Sequence, residues 1–566
     1  MATTTTTPTE SGGELRRTID WTGAFWVASG VPALVLFSIG GIAGTVGRLA
    51  FVVWAISMVM GFLQSFTYAE IAGLFPNKSG GASVYGATAW LRYSKFIAPL
   101  SVWCNWFAWS PVLSLGCSIA AGYIINALAP MPVFTAQSPE VVAWLADTAN
   151  AGKAAADAIA AVTASHAPWL QTFNALSIPV PGLGTLNFNS TFVIGALLML
   201  VVFAIQHRGI LGTANAQKWI GLLVIIPMFI VGVVPFFNGQ FQSVNVAGPY
   251  LPGVGDNVGW TLFFGGLFIA AWSTYGFETA VCYTREFRNP ATDTFKAIFY
   301  SGLLCLVLFV LVPFTFQGVL GIDGMKAPGI VAGTGVAEAM ANMVANGNVV
   351  IKQIFVLLMI LALLLAIMTA MAGSSRTLYQ GSLDGWLPKY LGTVNEHGAP
   401  TRAMWTDLVF NLFLLAIASD AGGYFFILAV SNVGYIIFNF LNLNAGWIHR
   451  IDSGHIPRPY RAPTWLIGVN TVLAFVNAVF MGAGAKVWGY SNALWIGFIF
   501  AGLILPVFAY RHYVQDGGQF PAGALAEIGL KGQDLGERKA GIMPYLFLVA
   551  GLVVVLLSNW AFQMPA

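Results

Sequence analysis

The feature that most constrains this chain is a succession of long apolar runs separated by short charged turns. A helix needs about 20 apolar residues to cross the hydrocarbon of a bilayer. Measured against that length, spans are expected near 21–46, 49–74, 96–128, 189–207, 217–237, 258–284, 294–318, 350–380, 403–419, 422–448, 464–484, 492–511 and 542–562, about 13 in all. Composition agrees: 57% of residues are hydrophobic and 8% charged, where a soluble domain carries about 25% charged residues. So little charge cannot cover a solvated surface, and most of the chain must face lipid. The net charge of +3 is too small, and the basic residues too scattered, to argue for nucleic acid. The expected fold class is an all-α integral membrane protein.

Charge asymmetry sets the expected orientation. With the N-terminus in the cytoplasm and the spans alternating, Arg48, Lys153, Lys326, Lys352 and Lys486 fall outside. The other 20 of the 25 Lys and Arg residues fall inside (25 − 5), a positive-inside bias. Residues 1–19 are polar and Thr-rich and read as a disordered cytoplasmic tail. A twelve-helix core follows over 20–511, then a polar, Gly-rich cytoplasmic linker over 512–541, then an additional transmembrane helix within 542–566. The first apolar run continues into a full span, so that helix is expected to act as the targeting signal itself, in a plasma or inner membrane. One external insertion, 129–188, is long. Within it Ser138-Pro139-Glu140 reads as a helix start, and the alanine-rich run to about Ser165 reads as a helical cap. Cys104, Cys117, Cys282 and Cys305 lie in apolar spans without CxxC spacing and read as small core side chains.

Two spans carry interruptions. The stretch from Phe263 to Pro290 has Ser273, Thr274, Gly276, Glu278 and Thr279 in its middle. An acid at the centre of a bilayer costs roughly 2.5–3.5 kcal/mol on insertion scales. Gly265, Gly266 and Gly276 weaken the helix around it. The first span holds Ser29, Gly30 and Pro32, and Pro32 lacks an N–H and disfavours the helix before it. Corresponding interruptions in two halves of a membrane protein point to a binding site at the midplane.

Four segments resemble the amino acid–polyamine–organocation superfamily of transporters. They are TYAEIAGLFPNKSGGASVYGA (67–87), WSTYGFETA followed by REFRNPATDTFKAI in the sixth span, SSRTLYQGSLDGWLPKYLG (374–392), and the spacing of spans one to twelve. The resemblance implies a LeuT-like fold: two inverted repeats of five helices, with helices 1 and 6 broken around the substrate. It implies a permease working by alternating access, not an enzyme. One departure stands out. Where the family carries a Gly-Ser-Gly-Ile turn in helix one, this chain has Pro32 to Val35.

Broken helices expose N–H groups that favour a carboxylate and C=O groups that favour an ammonium or a cation. The candidate substrate site is therefore Ala28, Ser29, Gly30, Val31 and Pro32 with Trp272, Ser273, Thr274, Tyr275, Gly276 and Glu278. Asn105, Trp106, Asn432 and Tyr435 are candidate cavity residues, or helix-to-helix glue. Glu278 admits three readings: an ammonium site, a proton-coupled switch, or a structural acid. For ion coupling the resemblance implies helix-one carbonyls with hydroxyls of helix eight, so Thr369 and Ser374 join Glu278 as candidates, with sodium or a proton as the ion. Some relatives place a Lys from helix five where sodium would sit; between Leu222 and Val231 this chain has none. Glu70 and Arg376 read as a structural or gating ion pair, and Asp384 as a helix-ending turn residue. No HExxH, Walker A or Cys/His metal spacing is present, and no cofactor is expected beyond the coupling ion. The function expected is amino-acid transport; the alternative is an amine or polyamine transporter or exchanger held by Glu278.

Overall fold

The computed structural model describes residues 15–150, 152–419, 421–488, 491–527, 529–530 and 533–564. Most of the polar tail, residues 1–14, and Lys531 of the linker lie outside the described residues. The protein is a mostly helical membrane protein. Among the described residues, 11 helical segments are long and apolar enough to cross a bilayer. The difference from the 13 expected has two causes. The first two expected spans run together as one helical segment, Trp21–Gly73, and the helix Ser190–Gln206 is 17 residues, just under the length of a span. The helix Gly423–Asp452 sits at the centre, with most of it buried, while Met543–Ala561 lies at the periphery with most of its surface open to lipid.

Local chemistry explains where the helices begin. Asp20 caps Trp21–Val27, its carboxylate accepting from the N–H groups of Thr22 and Gly23 at 3.0 and 3.1 Å. Asn348 caps Val349–Leu383 in the same way. A turn through Gly80 and Gly81, both at positive φ, admits the helix Ala82–Leu91 into the interior, where every one of its residues is buried. Its entry is tight: Gly80 N–H donates to the Cys282 carbonyl at 3.0 Å, and the Thr377 hydroxyl donates to the Gly80 carbonyl at 2.8 Å.

The external insertion departs from the sequence reading. The expected cap is two helices, Pro139–Ala146 and Ala155–Ser165, because Asp147 is extended and Gly152 takes a positive φ between them. They share a small core of Val141, Ala158 and Val162. An antiparallel hairpin follows, Asn174–Val180 against Gly184–Asn189, so the chain is not purely α-helical. In the 512–541 segment, the Ala540 N–H donates to Asp452 at 3.0 Å, which holds that stretch against the end of the 423–452 helix.

Candidate functional site

The two interrupted spans both leave the α-helix. After Trp21–Val27 the backbone tightens to a 3₁₀ stretch, Ala28–Phe37, and resumes as Ile39–Val46. Asn257–Thr274 passes into a second 3₁₀ stretch, Gly276–Glu286. Runs of 3₁₀ this long are uncommon, since the geometry of their hydrogen bonds is poor; these persist because neighbours bond to the backbone groups.

For the first stretch the neighbours are Thr369 and Gln217. The Thr369 hydroxyl donates to the Val27 carbonyl at 2.6 Å and accepts the Gly30 N–H at 3.2 Å. Gln217, on the helix Ile210–Val233, donates its amide to the Val27 carbonyl and the Thr369 hydroxyl, both at 3.0 Å, and toward the Leu365 carbonyl at 3.4 Å. Three oxygens thus converge on one donor group. Gly30 makes the approach possible: a β-carbon there would overlap the Leu365 carbonyl and the Thr369 hydroxyl.

The two stretches touch. The Ser273 hydroxyl donates to the Leu34 carbonyl at 3.2 Å. A β-carbon at Gly276 would lie 2.6 Å from the Trp109 indole and 3.0 Å from Val31. Trp109 stacks on Trp272 with ring centroids 6.5 Å apart and meets Tyr435 edge-on at 5.7 Å. Tyr435 donates to the carbonyl of Tyr275 at 3.2 Å, which also accepts the Glu278 N–H at 3.2 Å. The bridge between Ile19 and Phe287 ties the start of the first segment to the end of the second.

Glu278 sits in this junction, fully buried. Its Oε1 accepts from Trp109 Nε1 at 2.9 Å and from Asn105 Nδ2 at 3.4 Å. Its Oε2 makes no hydrogen bond of good geometry and lies beside Gly81, at the start of the 82–91 helix, where the Ala82 N–H faces the carboxyl. The hydroxyl of Thr279 is also unpartnered. Among the described residues no basic side chain pairs with Glu278. A buried carboxylate oxygen without a well-formed hydrogen bond is costly, and such a group is where a ligand's N–H or a proton gains most.

Residues 19–503 match a family model described as amino acid permease. The chain belongs to the amino acid permease family. It is 24% identical over 306 residues to the branched-chain amino acid permease BcaP of Lactococcus lactis, covering 52% of this chain and 61% of that protein. It is 24% identical over 337 residues to the lysine-specific permease LysP of Escherichia coli, covering 53% of this chain and 66% of that protein. An uncharacterized transporter of Legionella pneumophila is 24% identical over 265 residues, 46% of this chain and 54% of that protein. The chain thus spans between about half and two thirds of the length of the relatives it matches.

In this member of the amino acid permease family the expected residues divide into those at the junction and those turned away from it. Gly30, Val31, Ser273, Gly276, Glu278, Asn105 and Tyr435 meet there as described. Ala28 and Pro32 are buried within the first 3₁₀ stretch. The Ser29 hydroxyl folds back on the Trp26 carbonyl at 2.6 Å. Thr274 bonds to Ser57 at 2.7 Å, and the Tyr275 hydroxyl donates to Asn477 at 2.9 Å. Trp272 donates to the Ala108 carbonyl at 3.0 Å, and Asn432 donates to the Phe268 carbonyl. Trp106 and Ser374 both donate to Asp407, at 2.9 and 2.5 Å.

Glu70 and Arg376 are each ion-paired, but not with each other. Glu70, in the last turn of Ala50–Gly73, faces the end of the 423–452 helix and the chain that follows it. It takes Arg450 at 2.6 Å, Arg458 at 3.2 Å and the Ala462 N–H at 2.8 Å. Arg376 lies beside the end of the second 3₁₀ stretch and binds Glu286 through Nη2 at 2.9 Å and through Nε. Asp384 ends its helix, as its turn chemistry suggests, and also pairs with Lys78 at 2.6 Å. Sequence reasoning passed over Glu286, Gln217 and Asp407. Each left a signal: an acid in the sixth-span motif, an amide beside Lys218, and an acid four residues before Asn411 inside the 403–419 run.

Proposed function

We propose that this chain is a secondary transporter that carries an amino acid across the membrane by alternating access, its core acting as two LeuT-like inverted repeats. The substrate binds where the two 3₁₀ stretches meet, with its carboxylate toward N–H groups of the first and its ammonium toward Glu278. The observation that carries this reading is the buried Glu278, on the second irregular stretch where it meets the first, with one oxygen that makes no hydrogen bond of good geometry, in a chain of the amino acid permease family. Trp109 and Trp272 fill the junction and give way as substrate enters.

For coupling we propose a proton or exchange rather than sodium. A hard cation seeks oxygen ligands, and the oxygens of Val27, Leu365 and Thr369 already take their positive partner from the Gln217 amide. The N-terminus faces the cytoplasm in this reading, which the excess of basic residues in alternate loops supports. An amine or polyamine is the second reading, favoured by the same carboxylate oxygen.

The test is uptake by the purified chain in sealed liposomes. Labelled branched-chain amino acids, lysine and a polyamine are offered under separate sodium and proton gradients. Accumulation of an amino acid that survives removal of sodium supports the proposal. Accumulation of the polyamine alone moves the function to the second reading, and binding without accumulation overturns transport.

A further inference from the structure

A second carboxyl group is buried in the same bundle and plays no part in the junction. Asp407 lies six residues into the helix Thr401–Ala418, about 9 Å along it at 1.5 Å per residue. It is fully buried. Its Oδ1 accepts from Trp106 Nε1 at 2.9 Å and from Ser110 at 2.5 Å. Its Oδ2 bonds to Ser374 at 2.5 Å. Asn411 donates to Ser110 at 2.7 Å, which leaves the Ser110 proton for Asp407.

No charge answers it among the described residues. The helix Ile97–Trp109 offers Trp106, Val349–Leu383 offers Ser374, and Val112–Leu128 offers Ser114, which is bonded through its N–H to Asn411. The charged groups on its own helix and on the elements packed against it lie elsewhere: Arg402 is exposed, Arg376 pairs with Glu286, Lys352 with Glu338, Arg450 with Glu70 and Lys389 with Asp516, and Asp452 is bonded to Tyr93 and Ala540. An ionised Asp407 would be a lone charge among neutral groups inside a span, which proteins avoid or use.

The hydrogen bonds around Asp407 fit two protonation states. Both partners of Oδ1 are donors, so a proton can sit only on Oδ2. With the proton absent, the Ser374 hydroxyl donates to Oδ2. With it present, Oδ2–H donates to Ser374, whose own hydrogen turns to the Met371 carbonyl at 3.4 Å. We propose that Asp407 is a proton-binding site separate from Glu278, with its proton on Oδ2 and Ser374 as the reversible partner. The helix 97–109 links the two sites. Asn105 and Trp109 hold Glu278, while the next residues along, Trp106 and Ser110, hold Asp407. A substrate that shifts this helix at Glu278 therefore shifts the donors of Asp407. That coupling rests on the proposed substrate site; the proton site does not.

Infrared titration of the purified full chain tests it without transport. Wild type is expected to lose a buried carboxylic-acid carbonyl band as pH rises. Glu278→Gln keeps one such band, Asp407→Asn loses it, and Ser374→Ala keeps it at a shifted frequency. The asparagine preserves the packing, since its oxygen accepts from Trp106 and Ser110 and its nitrogen donates to Ser374. If Asp407→Asn fails to fold, the Glu278→Gln and Ser374→Ala spectra decide alone. No titrating band in Glu278→Gln, or no shift in Ser374→Ala, overturns the proposal. A titration that moves when sodium replaces choline also overturns it, in favour of a sodium site. Uptake that persists in Glu278→Gln counts against the substrate site and leaves this result untouched.

Discussion

Replacing Glu286 with glutamine leaves the Arg376 guanidinium buried without its counter-charge. The side chains are 3% and 0% exposed, so water cannot substitute. The guanidinium keeps one acceptor in the glutamine oxygen, a bond to the Ala372 carbonyl at 2.9 Å and the face of Tyr283 at 5.3 Å, while the new amide NH2 opposes its other N–H. Removing one partner of a buried ion pair costs about 3–5 kcal/mol, whereas replacing both with apolar groups is often neutral. Glu286→Gln is therefore expected to destabilise the protein by about 3–5 kcal/mol. The double variant Glu286→Leu/Arg376→Met is expected to recover most of that loss. Thermal and denaturant unfolding of the purified chain in detergent reads both. The double variant also frees the end of the second 3₁₀ stretch from the 349–383 helix, so its uptake should fall although its stability returns. A Glu286→Gln variant as stable as wild type, or a double variant less stable than Glu286→Gln, refutes the reasoning.

Gly30→Ala places a β-carbon against the Leu365 carbonyl and Thr369, two groups that cannot retreat; overpacking of this kind costs typically 1–3 kcal/mol, and uptake is expected to be lost before folding is. Gln217→Ala removes the donor shared by Val27, Leu365 and Thr369, so residual uptake compared in sodium and in choline should become sodium-stimulated, while equal rates would count against the amide as a stand-in for a cation. Asp20→Ala loses the cap of the first helix, about 1 kcal/mol. Burial works against the Asp20 charge, yet bonds from Thr22 and Gly23 and the nearby Arg288 hold its carboxyl below the usual carboxylate range. A depressed folded value stabilises above the unfolded value, about 3.9, and that share is lost as pH falls through the folded one. Unfolding of wild type and Asp20→Ala at neutral pH and in acid should show the gap narrow in acid.

Much of this was legible in the sequence, for physical reasons. Long apolar runs have one use in a bilayer, so the existence of the helices followed from length alone. Pro32 and the glycines around Glu278 marked where the helices change character, because those residues act on their own backbone. Partner choice was less legible. Glu70 and Arg376 were each readable as paired, but which groups faced them depended on chain folded back from 286, 450 and 458. Gln217 and Asp407 were hidden for the same reason: a polar residue in a span announces a need for partners without naming them. The split cap turned on Asp147 and Gly152, within a run whose composition favoured one helix, and the hairpin on a separate turn through Gly182 and Gly184.

The most direct test of the central claim is a structure of the chain with an amino acid bound, the substrate chosen by uptake. The account predicts ligand density between the stretches 28–37 and 276–286, its ammonium within hydrogen-bond distance of Glu278 and Trp109 turned aside. A ligand seated elsewhere, with Glu278 still held by Asn105 and Trp109 alone, would contradict it.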